Sequence, residues 1–280
     1  SDGKPVTMPT QDMIIGIFHL TSEREDVPGI GRDFGSVSEA IMAYDRGELD
    51  LGAKVKIRLS NIVPHRKMEL PEGWEQGDTL VLETTLGRAL FNRTLPEDYP
   101  YVNETIGKKQ LSKIVNRLAD NYPRVEVAQA LDNFKETGFY QATRSGLTVA
   151  MSDIVSPESK EQSLNEAEEL VDKVEEQYAF GALTDEERRT ELVKIWSDTT
   201  DKIAEAMQKN FTSENSILRL VESGASGNWT QVRQLAAMRG LVTNPKGEII
   251  PRPIKSNYRE GLSVLEYFIA SHGARKGLAD

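Results

Sequence analysis

Apolar and polar positions along this chain repeat with two different periods. Val55, Ile57 and Leu59 alternate with Lys54, Lys56 and Arg58, which predicts a half-buried strand. Leu80 to Leu82 is a second strand candidate, and Leu147, Val149 and Met151 alternate as a third. Between these stretches the spacing is helical. Leu111, Ile114, Val115 and Leu118 mark one amphipathic helix; Val127, Ala130, Leu131 and Phe134 mark the next, which Gly138 is expected to end. The run Ile14 to Leu20 fits either a helix or a buried strand. Ser36, with Glu39 three residues on, opens a helix lined by Ala40, Ile41 and Tyr44 and closed by Gly47. Thr84 to Asn92 reads as a short helix stopped by Pro96.

From Ser156 to Asn210 the pattern tightens to heptads. Leu164, Ala167, Val171, Val174 and Tyr178 form one seam; Leu192, Trp196, Thr199, Ile203 and Ala206 form another. Gly181 breaks the first helix, and Thr184 with Glu187 caps the second across a turn of about three residues, which predicts an antiparallel hairpin. At 1.5 Å per residue the second helix is about 40 Å long. Past the hairpin, glycines at 224 and 227 lead into a helix expected to carry Arg233 and Arg239, and Asn244-Pro-Lys-Gly247 joins Leu241-Val242 to Glu248-Ile-Ile250 as a short hairpin. Asn257 to Asp280 reads as one long helix, with apolar positions at Leu262, Leu265, Phe268, Ile269 and Leu278. Glycine interrupts it at 261, 273 and 277, at a cost of about 1 kcal/mol each relative to alanine. Such a helix either bends or is approached closely by something large; the plainer alternative is a packed helix with a frayed basic end near Asp280. The sum is an α+β chain, mostly helical. It comprises a mixed α/β region over 1–155, a coiled-coil hairpin over 156–212, a linking segment over 213–256 and a helical segment over 257–280.

Composition narrows the chemistry. The chain has 280 residues, enough for one large or two ordinary cores, and no cysteine, hence no disulfide or thiolate metal site. Its three histidines lie too far apart in sequence for a zinc motif, and no apolar run is long enough to span a membrane. A net charge of -10 argues against a stand-alone nucleic-acid binder. The charge is uneven: residues 156–210 hold 15 Asp and Glu against 7 Lys and Arg, while residues 223–280 hold 8 Lys and Arg against 4 Asp and Glu. The glycine-rich turn before Asn228 resembles a phosphate cradle only loosely, since it lacks the G-x-x-x-x-G-K-[ST] pattern; on the residues alone a tight turn with surface arginines is the favoured reading. The chain starts without methionine and stops inside a helical pattern, as a piece of a longer protein would.

Tyr258 to Asp280 resembles the bridge helix of the largest catalytic subunit (beta-prime) of bacterial RNA polymerase: F-R-E-G-L-x-V-L-x-Y-F-I-x-x-H-G-A-R-K-G-L-A-D, with Tyr258 where phenylalanine is usual. P-T-Q-D-M-I-I-G, T-T-L-G-R-A-L-F-N and G-F-Y-Q-A-T-R-S-G-L-T-V are similar to the pore domain of that family, and the whole looks actinobacterial. The resemblance implies a role in DNA-dependent transcription, with the pore lining a channel for nucleoside triphosphates. It implies that the hairpin forms the rim helices of that secondary channel, with Phe180, Gly181, Leu183, Thr184 and Glu187 at a tip that Gre-type regulators grip. The residue reading alone leaves a structural strut with a solvated acidic face as the alternative. The resemblance places Ser226, Asn228, Arg233 and Arg239 beside the nucleotide path, although many relatives carry arginine where Ser226 stands. It assigns His272, Gly273, Arg275, Lys276 and Gly277 to the bending part of the bridge helix. The family's metal-binding run N-A-D-F-D-G-D is absent, so no catalytic residue and no cofactor are expected on this stretch, the magnesium of the full enzyme being held elsewhere. Implied partners are the beta, alpha, omega and sigma subunits, template DNA and RNA; the implied location is the cytoplasm, at the nucleoid. Two other readings stand beside it: an acidic coiled-coil adaptor that docks regulatory proteins, and a stand-alone nucleotide-binding enzyme, for which a phosphate loop and a metal cluster are missing.

Overall fold

The computed structural model describes residues 5–65 and 68–279, so Asp280, where fraying is expected, lies outside the described residues. Helices dominate, with one small sheet, as the patterning predicts. The chain forms two compact units, Ser1–Leu147 with Glu222–Ser226, and Thr148–Val221 with Gly227–Asp280.

In the first unit the run at Ile14 is helical. Helix α1 (Asp12–Thr21) buries Ile14, Ile17 and Leu20, three residues apart, on the face turned to the core. It packs on α5 (Arg124–Ser145) through a backbone crossing. A Cβ on Gly16 would stand 1.7 Å from the Gly138 carbonyl oxygen, and one on Gly138 would stand 2.6 Å from that of Met13. Gly138 therefore does not end its helix, as its residue type suggests. It serves a close approach in mid-helix, and α5 runs on to Ser145 before Gly146 turns left-handed at φ 61°.

The sheet has three strands, β1 (Asp33–Phe34) parallel to β2 (Val55–Leu59), and β2 antiparallel to β3 (Leu80–Thr84) with Ile57 opposite Leu82. Val55, Ile57 and Leu59 face the core and the cations between them face outward. Helix α2 (Val37–Asp45) is capped by Ser36, whose hydroxyl accepts from the Glu39 N–H, and α3 (Leu86–Asn92) by Thr85 in the same way. Helix α3 ends well before Pro96: the Arg93 and Thr94 N–H groups close tight turns onto Leu90 and Phe91. Helix α4 (Lys108–Asn121) buries Leu111, Ile114, Val115 and Leu118. The expected strand at Leu147 does not form. Val149 and Met151 are exposed, so the alternation has no core to face, and the Asp153 carboxylate closes a 3-10 turn over Met151–Asp153 by accepting from the Ala150 N–H at 2.7 Å.

In the second unit α6 (Lys160–Ala179) and α7 (Asp185–Asn210) form the hairpin. Five residues, not three, join them, because Phe180 to Thr184 contain both the left-handed Gly181 (φ 75°) and the α7 cap. Ala167 and Val174 are buried on α6, and Leu192, Trp196, Thr199 and Ile203 on α7, along the expected seam. At its far end the seam turns to Met207, fully buried, rather than Ala206, since a 3.6-residue helix drifts off a strict heptad. Met207 and Ile203 join Ile154, Ile217 of α8 (Ser216–Glu222), and Val232, Ala236, Ala237 and Met238 in a second core.

Candidate functional site

Helix α9 (Trp229–Ala236) follows the glycine-rich turn. Asn228 caps it: its side-chain oxygen accepts from the Gln231 N–H at 2.9 Å, and Gln231 Oε1 accepts from the Asn228 N–H at 3.1 Å. These bonds use amides that a phosphate cradle would offer. Ser226 and Asn228 are exposed, and Arg233 on α9 is half-buried with its Nε unpartnered. Arg239 is not on this helix, which stops when Ala237 leaves helical backbone at ψ -92°. Its guanidinium donates to Gln234 Oε1 at 3.2 Å and to the Tyr258 hydroxyl, and its carbon lies 5.4 Å from the centroid of the Tyr258 ring. Partial burial pushes its pKa down, although not out of the cationic range at neutral pH. The expected hairpin past Arg239 is a pair of isolated bridges, Thr243 with Ile249 and Gly240 with Ile254.

The C-terminal stretch is not one helix. Residues 257–261 form a turn ending at Gly261, left-handed at φ 87°. Helix α10 (Val264–Ala270) starts at the Ser263 cap, and α11 (His272–Ala279) follows after Ser271. Ser263 and Glu266 make a capping box, S-x-x-E, a start signal present in the sequence that outweighs the apolar periodicity running back to Asn257. Burial pushes the Glu266 carboxyl pKa up, but hydrogen bonds from Ser263 and Ser256 outweigh it and hold the group below the usual carboxylate range. Neither α10 nor α11 has a buried residue, and Val264, Tyr267, Phe268 and Leu278 are exposed. Gly273 and Gly277 have nothing within 4 Å of an added Cβ. Arg275 is exposed, His272 half-buried, and Lys276 donates to the Pro245 carbonyl at 2.6 Å.

At the hairpin tip Phe180 is 87% exposed. Leu183 is half-buried beside it. Thr184 and Glu187 close a capping box, and the bonds from the Thr184 N–H and hydroxyl hold the Glu187 pKa below its usual range. Arg188 bridges the two helices, paired with Glu175 at 3.0 Å and stacked 4.7 Å from the Tyr178 ring centroid. The tip residues thus gather in one turn, while Arg233, Arg239 and the α11 cations belong to separate segments of the second unit.

Among the described residues no three of His, Cys, Asp and Glu come together so as to hold a metal ion, and no helix is long and apolar enough to cross a membrane. Sequence reasoning missed Asn257 and Glu260, both of which make several hydrogen bonds to other segments or to each other. Their N-x-x-E spacing is a cap-like signal that was available.

The family described as RNA polymerase Rpb1, domain 3, matches residues 1–154, and RNA polymerase Rpb1, domain 4, matches residues 183–264. Over 280 residues the chain is 61% identical to the DNA-directed RNA polymerase subunit beta' of Beutenbergia cavernae and 61% identical to that of a Nocardioides species. It is 59% identical to that of Kineococcus radiotolerans. These relatives are actinobacterial, and each alignment takes in 100% of this chain. The chain spans 22% of the length of the curated relatives it matches. With the domain 3 match alone taking in residues 1–154, more than half of the sequence, the chain belongs to the RNA polymerase Rpb1 family.

Proposed function

We propose that this chain serves as a section of the largest subunit of a DNA-dependent RNA polymerase, which extends RNA by nucleotidyl transfer. The observation that carries the proposal is 61% identity sustained over all 280 residues to a protein of that name. In this reading the first unit lines the channel through which nucleoside triphosphates reach the active centre. The exposed Phe180 tip, with Gly181, Leu183, Thr184 and Glu187, is a docking post for Gre-type regulators. Arg233, Arg239, Arg275 and Lys276 draw triphosphates by concentrating positive potential along the channel. Beta, alpha, omega and sigma subunits, template DNA and nascent RNA are the partners. In this reading the catalytic magnesium is held by other parts of the full subunit, and no chemical step is assigned to this chain.

The moving part in this reading is the α10–α11 pair. Its two glycines meet no neighbour within this chain, and glycine in mid-helix softens the helix. Gly273→Ala and Gly277→Ala in the whole enzyme are expected to change elongation rate more than apparent nucleotide affinity, because they alter helix bending and leave the cations in place. Single-round elongation assays over a nucleotide titration read both quantities. Parental elongation rates in both variants would refute the gating role.

A further inference from the structure

Helices α10 and α11 bury no side chain against the rest of this chain, so apolar packing within it does not set their direction. The segment just before them is tied down instead, and its ties converge. Asn257 is fully buried. Its Nδ2 donates to Ser156 Oγ at 2.9 Å and to the carbonyls of Ala236 and Ala237 at 3.1 and 3.2 Å, and its Oδ1 accepts from the Glu260 N–H at 2.8 Å. The Arg259 guanidinium donates to the Ile154 carbonyl. Both Glu260 carboxylate oxygens accept from Lys160 Nζ, at 2.9 and 2.7 Å, and the Lys160 side chain is only 11% exposed. Ile154, Ser156 and Lys160 are the approach to α6 and its first residue. Three residues of the pre-helical turn are thus fastened to the foot of the hairpin.

The chemistry of these ties makes them specific. A lysine ammonium this well covered is costly to leave unpaired, so Glu260 is held close to it. An asparagine amide with every polar atom engaged fixes one orientation of the backbone around it. Above the foot, α6 lies along α7 as a stiff pair cross-linked by Lys202–Glu166 and Arg188–Glu175. A displacement of such a rod is transmitted along its length, because packed helices shift as bodies.

We infer that Asn257, Arg259 and Glu260 are positioning residues through which the foot of the hairpin sets the direction of α10 and α11. A protein seated on the hairpin tip then biases the C-terminal helices through α6, without touching them. That regulatory consequence rests on the function proposed above; the linkage itself does not.

The sequence has no cysteine, so two introduced cysteines give an unambiguous pair of spin labels. Gln177→Cys and Val264→Cys are exposed sites, the first about 25 Å up α6 from Lys160. Pulsed dipolar spectroscopy of the doubly labelled full chain is expected to give one narrow distance distribution. Lys160→Met, remote in sequence from α10, is expected to abolish that narrow peak, and Glu260→Gln to do the same from the other side. The combined variant is expected to broaden the distribution no further than either single one. Circular dichroism verifies that the variants keep their helix content, and Glu260→Gln, at a half-exposed site, serves if Lys160→Met does not fold. A broad distribution in the parent, or an unchanged narrow one in a folded Lys160→Met or Glu260→Gln chain, overturns the inference. Each of these results is independent of whether the chain works in a polymerase.

Discussion

Two pairs of glycines in this chain occupy helices for opposite reasons. Gly16 and Gly138 sit where α1 and α5 cross, and a methyl group on Gly16 would lie 1.7 Å from the Gly138 oxygen, far inside contact distance. Gly273 and Gly277 sit on α11 with open space around them. Gly16→Ala must push two helices apart, which overpacks the core at a cost of about 1–3 kcal/mol or more. Gly273→Ala adds a side chain that touches nothing and gains about 1 kcal/mol of helix propensity. Urea unfolding of the first variant is expected to show a lower midpoint with an unchanged slope, while the second raises amide protection in α11. If both variants melt alike, the crossing is looser than its geometry states. Sequence spacing reads Gly138, Gly273 and Gly277 alike as helix interruptions and passes over Gly16. Only the neighbour across the crossing, more than 100 residues away in the chain, separates them.

At the scale of elements, most helices were legible because their apolar faces meet a core, as at Leu111 to Leu118 in α4. Two of the errors fall where that condition fails. Val149 and Met151 alternate with no sheet beside them, and residues 257–263 continue a helical period that no core enforces. There the local polar signals decide: Ser263 with Glu266 starts α10, and the Ser271 hydroxyl, bonded to the Phe268 carbonyl at 3.0 Å, marks the boundary with α11. A helix begun by a capping box rather than by packing is sensitive to the charge of its cap. Glu266 has a lowered folded-state pKa, so it favours the capped form fully at pH values above its ordinary value of 4.5. That contribution declines below 4.5 and is gone once pH has fallen through the lower folded value. Amide chemical shifts of Val264 to Tyr267 are therefore expected to hold steady from neutral pH and move toward coil values in acid. Glu266→Gln should remove the acid step; a step that persists in this variant assigns it to another carboxylate.

The molecule as a whole divides its apolar burial unevenly. The first unit gathers Ile14, Ile17, Leu20, Ile57, Leu86, Phe91, Ile106, Leu111, Leu118 and Phe134 in one large cluster, with the Phe91 and Phe134 rings stacked at 5.8 Å. The core of the second consists of Ile154, Ile203, Met207, Ile217, Val232 and three small or flexible residues, Ala236, Ala237 and Met238. Local patterning could not reveal this division, because the first unit recovers residues 222–226 after the hairpin, through the Lys108 N–H bonded to the Ser223 carbonyl at 2.8 Å. A contact of that span leaves no periodic trace. Burial at about 25 cal/mol per Å² of apolar surface favours the unit with the larger cluster. The acidic hairpin, with 15 Asp and Glu against 7 Lys and Arg over residues 156–210, further burdens the other with self-repulsion. The second unit is therefore expected to unfold first. The tryptophans allow the test, since Trp196 and Trp229 lie in the second unit and Trp74 in the first. In a Trp74→Phe chain, fluorescence should report a urea midpoint below that of the later phase of the far-UV circular dichroism, and added salt should narrow the gap by screening the hairpin. Coincident transitions by both probes would show one cooperative molecule instead of two units of unequal stability.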